Sequence, residues 1–144
     1  FGGKSRFSHL EFFRLDKPHR GLGEVGDFVA LEVNMRPGGG YTPDIINYAH
    51  NISTFKIWAD MVAFDRRTTP DPHDDYFCTY VGRRDSVRYA YDHQALIDKY
   101  GYAMMMTPHI DKALAGAIGE QAYIARFRTE EERDAFLTDA CHRI

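Results

Sequence analysis

The residues with the most chemical content are Glu32, Asn34 and Arg36, spaced two apart in Glu32-Val-Asn34-Met-Arg36. In a strand such spacing puts a carboxylate, an amide and a guanidinium on one face. Leu31, Val33 and Met35 fall on the opposite, apolar face. Upstream, Glu11 shares a strand face with His9. If these two segments form a hairpin whose faces agree, two carboxylates and an amide oxygen converge. Like charges that close cost energy unless a cation sits between them. Oxygen ligands favour Mg²⁺ or Mn²⁺ over zinc, and Mg²⁺ keeps positions open for water and phosphate oxygens. Arg36 can fork onto a phosphate or carboxylate, and the backbone N–H groups of Gly38, Gly39 and Gly40 can approach an anion. A Glu-x-Asn-x-Arg face equally suits a solvated strand with cross-strand ion pairs, and periodicity alone does not separate the two readings.

The elements that must position these residues follow from the pattern. Residues 5–15 alternate in character and predict a strand, with Phe7, His9, Glu11 and Phe13 facing away from Leu10 and Phe12. Asp16–Gly23 reads as a connection. A second strand is expected at about 26–35, with Phe28, Ala30, Glu32 and Asn34 on one face, so the pair forms an antiparallel hairpin. Thr42-Pro43-Asp44 opens a helix whose apolar spacing runs to Phe64, with a break near Asn51–Ser53. Asp65–Asp75 is polar and aperiodic. Beyond it, Tyr76–Gly82 and Ser86–Tyr91 predict a hairpin, Asp92 caps a helix over His93–Tyr100, and Gly101 ends it. Strands are expected at Tyr102–Thr107 and Gln121–Arg128. Thr129 with Glu132 forms a capping box for a last helix reaching about His142. Without strict βαβ alternation, the fold class is α+β. The expected organisation is 1–66, a linker at 67–75, and a C-terminal α+β subdomain over 76–144.

His9-Leu-Glu11-Phe-Phe13, then Leu31-Glu32-Val-Asn34-Met-Arg36-Pro-Gly38-Gly39-Gly40, then Asp44-Ile-Ile-Asn47-Tyr-Ala, resemble the C-terminal part of an ATP-grasp domain. That superfamily includes carbamoyl-phosphate synthase, biotin carboxylase and many carboxylate–amine ligases. The resemblance spans about residues 5–64 and implies the C-terminal lobe of the grasp fold, an antiparallel sheet with packed helices. It also implies Glu11, Glu32 and Asn34 as ligands of the Mg²⁺ (or Mn²⁺) ions that bridge ATP phosphates. Arg36 would contact the transferred phosphate or the acyl phosphate, while Gly38, Gly39, Gly40 and Asp44 would border the acceptor substrate. The implied chemistry is activation of a carboxylate or bicarbonate as an acyl phosphate, followed by attack of an amine or other nucleophile. The chain opens at Phe1 without an initiator methionine and enters a strand almost at once. The expectation is therefore a fragment of a ligase, inactive alone, whose lysine-bearing N-terminal lobe precedes it. No G-x-x-x-x-G-K-[ST] phosphate loop is present.

Other candidates are weaker. The H-x-E pair at His9 lacks the second nearby histidine of a cupin-type metal strand. The remaining histidines show no metal spacing. Asp71-Pro-His73-Asp74-Asp75 reads as a solvated linker and Met104–Met106 as a buried strand; Arg83, Arg84 and Arg88 with nearby tyrosines offer an anion site, but the default reading is exposed arginines of a hairpin turn. At 144 residues, 44% hydrophobic and 27% charged, the chain has the composition of one globular domain. Net charge is −3 and Lys and Arg are spread evenly through it, which argues against nucleic acid. No apolar stretch reaches the ~18 residues of a membrane span. Cys78 and Cys141, in no metal spacing, are expected to be reduced and partly buried, which suits the cytoplasm. The rival expectation is a non-catalytic binding or oligomerisation module derived from a grasp fold.

Overall fold

The computed structural model describes residues 6–70 and 74–144. The expected linker and the acidic tract at 71–75 therefore fall in part outside the described residues. Among the described residues ten elements follow one another: β1 (His9–Arg14), β2 (Phe28–Asn34), α1 (Thr42–His50), α2 (Thr54–Phe64), β3 (Phe77–Arg83), α3 (His93–Tyr100), β4 (Met104–Met106), α4 (Lys112–Ile118), β5 (Gln121–Phe127) and α5 (Glu130–Cys141). The architecture is α+β with antiparallel sheets, and the chain divides into two compact units. The described residues up to Pro43, with Ser53–Pro70, make the first; Asp44–Ile52 and residues 74–144 make the second.

In the first unit β1 and β2 pair antiparallel. Their connection is held by Leu15 N–H to the Asp27 carbonyl and Gly26 N–H to the Leu15 carbonyl, both 2.9 Å. Gly23 is required there: its φ is +147°, and a Cβ would lie 2.5 Å from Asp27 Oδ2, which accepts from Glu24 N–H. The ladder slips between Glu11 and Phe12, whose partners are Glu32 and Ala30, so Leu31 bulges out. Strict alternation in β2 therefore fails. Ala30 and Phe28 turn to the face of Phe12, and the Phe12 and Phe28 rings meet edge to face at 6.3 Å. The expected single face Phe28–Ala30–Glu32–Asn34 is corrected by this bulge.

The helical stretch breaks where the sequence placed the break. Asn51 takes φ 50°, a conformation asparagine tolerates better than most residues, and Ser53 caps α2 by accepting from Lys56 N–H at 3.2 Å. On α2 the buried Asp60 accepts both of its oxygens' bonds from Lys56 Nζ at 2.9 Å and is also bonded by Thr68. The Thr68 hydroxyl and then Lys56 hold its carboxyl below the ordinary value.

The second unit is organised around β5, which lies between β3 and β4. Tyr123, Ala125 and Phe127 point into the main core with Val81, Leu96, Tyr100, Ala103, Phe136 and Ala140. The alternate residues Ala122 and Ile124 are fully buried too. On that side Tyr80 donates to the Ile118 carbonyl at 2.8 Å, and a Cβ on Gly82 would stand 2.0 Å from the same oxygen. Gly82 is thus what lets α4, a helix the sequence pattern did not predict, close on β3. Asp44–Ile52 belongs here: Arg126 reaches the Tyr48 carbonyl and Asn51 Oδ1 at 3.2 and 2.6 Å, and Tyr76 N–H bonds Ala49 O.

The expected hairpin of 76–82 with 86–91 does not form. β3 pairs along seven residues with β5, while the later segment meets the chain end: Ala90 N–H bonds the His142 carbonyl and Ile144 N–H that of Arg88. The Asp92 cap and the Thr129–Glu132 capping box are both made. Both cysteines are free, Cys78 half-buried and Cys141 exposed. Burial pushes the Cys78 thiol up to about 11. Among the described residues no helix is long and apolar enough to cross a membrane.

Phe136 is fully buried and its ring meets those of Tyr100 and Phe127 at 5.2 and 5.5 Å. Phe136→Ala is expected to cost about 3–5 kcal/mol in urea unfolding of the second unit. Asp139 joins α5 to α3 by accepting from Lys99 Nζ at 2.6 Å and Tyr100 Oη at 2.7 Å. Burial opposes its ionisation, but these bonds outweigh burial and hold the carboxyl below its ordinary value. A depressed carboxyl contributes stability above its unfolded pKa of ~3.9 that is lost as pH falls through the folded value. Asp139→Asn should therefore lower the urea midpoint at neutral pH, with the two proteins converging as the medium becomes acidic.

Candidate functional site

Two residues of the carboxylate cluster stand in direct register. Glu11 is the cross-strand partner of Glu32, and His9 is the partner of Asn34. Directly opposed antiparallel residues hold their Cβ atoms about 4.5–5.5 Å apart on the same face, so the ladder brings the two carboxylates and the amide together. The bulge lies one residue beyond Glu11 and leaves this register intact. Period-two reading of each strand was enough to find the pair.

His9 Nε2 lies 3.3 Å from Glu11 Oε1, with the histidine side chain 29% exposed and the glutamate 42%. Glu32 is exposed. Two nitrogens at this spot are buried without a hydrogen-bond partner, His9 Nδ1 and Asn34 Nδ2. A buried unpaired polar atom is costly, and an amide turned by half a rotation presents oxygen in place of nitrogen. The donor set, two carboxylates with an adjacent amide, fits a hard divalent cation that retains several waters. Among the described residues no three His, Cys, Asp or Glu side chains cluster as a metal site.

Arg36 lies just past the end of β2, exposed, with Nη1 donating to the Pro37 carbonyl at 3.0 Å. In the glycine run only Gly40 has positive φ, +58°, and Gly39 has open space around it. A Cβ on Gly38 would press on the Thr42 side chain at 3.0 Å. Thr42 N–H in turn bonds the Gly39 carbonyl at 3.3 Å. Glu11, Glu32, Asn34, Arg36 and the glycines all belong to the first unit, whereas Asp44, in the first turn of α1, belongs to the second.

Sequence reasoning missed one feature. Arg83, read as an exposed turn residue, is buried at 5% exposure and lines a cavity of the second unit. The lone signal was its place beside tyrosines, two of which cover its guanidinium. Comparison of the chain with protein-family models, curated proteins and solved structures found no match.

Opposed like charges destabilise a strand pair on the scale of other cross-strand contacts. Glu32→Gln is expected to raise the stability of the first unit by about 0.2–1 kcal/mol at neutral pH without divalent cations. The gain should shrink in concentrated salt, where exposed charges are screened; chemical denaturation in chelator measures both.

Proposed function

We propose that the first unit is the C-terminal part of the nucleotide-binding lobe of an ATP-grasp ligase, carrying the metal-and-phosphate half of an ATP site. The observation that carries the reading is the register of Glu11 against Glu32 and His9 against Asn34, with Arg36 following. Glu11 and Glu32 hold the divalent cation from adjacent strands, and the Asn34 amide adds an oxygen. When bound, Mg²⁺ or Mn²⁺ supplies charge neutralisation at the β- and γ-phosphate oxygens. The Arg36 guanidinium steadies the transferring phosphoryl group with N–H groups beyond the one given to Pro37. Gly38, Gly39 and Gly40 border the acceptor. The substrates of such an enzyme are ATP, a small carboxylate or bicarbonate, and an amine or other nucleophile. Free cysteines at both positions fit a cytoplasmic enzyme.

A second reading, a binding or oligomerisation module on a degenerate grasp fold, draws on one observation. Leu10, Phe12, Phe28 and Val33 share one face of the hairpin and are all 41–69% exposed.

The metal assignment is tested on the chain as it stands by titrating Mn²⁺ and following paramagnetic broadening of amide signals. Broadening centred on His9–Phe12 and Glu32–Asn34, lost in Glu11→Gln/Glu32→Gln, is expected. Broadening centred instead on Asp74 and Asp75 would sink it. In the complete ligase, Glu32→Ala should reduce ATP turnover at least about 10²-fold; undiminished turnover would refute the metal assignment.

A further inference from the structure

The second unit holds a cavity of about 300 Å³, the lower end of the range for small-molecule sites. Arg83, the last residue of β3, forms part of its wall. The Arg83 Nε donates to the Ala140 carbonyl at 2.8 Å and Nη1 to the Tyr91 carbonyl at 2.6 Å. Both acceptors are neutral. Its Nη2 is buried and has no partner. A guanidinium keeps its charge at any ordinary pH and can only donate. A buried cation with an unsatisfied nitrogen is therefore a standing demand for an anion.

The surroundings define what kind of anion. The Tyr89 ring stacks on the guanidinium at 4.3 Å and the Tyr123 ring lies 5.5 Å away. Both rings, with Val87, line the cavity. Burial keeps the Tyr123 phenol protonated, against the opposing pull of Arg83, and its oxygen is 3.0 Å from His93 Nδ1. Asp85 and Asp92 also border the space. Their carboxylates repel a dianion more strongly than a monoanion. One free guanidinium nitrogen provides an end-on contact, too little for a phosphate with three charged oxygens.

We propose that this cavity binds a small organic carboxylate, with one oxygen on Arg83 Nη2 and an apolar or aromatic body against Tyr89 and Tyr123. Entry requires the half-buried Tyr89 ring to turn aside from the guanidinium. The site lies wholly in the second unit and does not depend on the carboxylate pair of β1 and β2.

Titration of the full 144-residue chain with benzoate, followed by amide NMR, tests this. Saturable shifts at Arg84, Asp85, His93 and Tyr123 are expected in the millimolar range. The neutral isostere benzamide should give none. Arg83→Lys, which keeps the charge but not Nη2, should weaken binding about tenfold, a loss of about 1.4 kcal/mol. Because that variant disturbs a buried bond network, Val87→Trp serves as the second: it fills the cavity with Arg83 intact and should abolish the shifts. The proposal is overturned if benzoate gives no saturable shifts, if benzamide matches it, if Val87→Trp binds unchanged, or if inorganic phosphate saturates where benzoate does not.

Discussion

β5 is buried on both faces, and that single demand arranges the second unit. A strand with no solvent side needs cover on each surface, so α3 and α5 close one side while α4 and the loop after β4 close the other. Alternation then assigns residues to sides: Tyr123, Ala125 and Phe127 to the aromatic core, Ala122 and Ile124 to the α4 side. The small residues are where elements come nearest. Gly82 admits the Ile118 carbonyl, and Ala140 lets α5 reach the sheet. Arg83 is carried inward by the same pairing, since its place opposite Gln121 at the end of the β3–β5 ladder sets it under α5.

The first unit has no comparable strand. Its buried apolar residues among those described are Leu15, Pro43 and Ile57, while Phe12, Phe13, Phe28, Leu31, Phe55, Trp58, Val62 and Phe64 all lie about half exposed or more. Two strands with one helix cannot cover both sides of a hairpin. Its polar face is correspondingly the more specified one: the bulge at Leu31 falls just after the Glu11–Glu32 pair, so the register is strict where the charges meet and relaxed where only apolar rings do.

What was readable in the sequence depended on how local the signal was. Asp92 and the Thr129–Glu132 box are decided within a single helical turn, and both were legible. So was the convergence of Glu11 with Glu32, because a hairpin and a period of two are short-range rules. The bulge was hidden because both faces of β2 carry apolar residues, which leaves alternation unable to fix the register. α4 is seven residues of mainly Ala, Gly and Leu, too short for a period. The partner of β3 lies some forty residues away and was assigned instead to the nearer segment 86–91. The burial of Arg83 is a product of that distant pairing and of α5, which no window around residue 83 contains.

The bond from Arg83 Nε to the Ala140 carbonyl ties together two things that are usually separate. The last carbonyls of any helix lack an internal partner, and here one of them is satisfied by the side chain that also walls the cavity. Fraying at the C-terminal end of α5 therefore releases one of the two hydrogen bonds that hold the guanidinium and leaves the one to the Tyr91 carbonyl. The last turn of α5 thus helps hold a cavity wall to which it contributes no side chain.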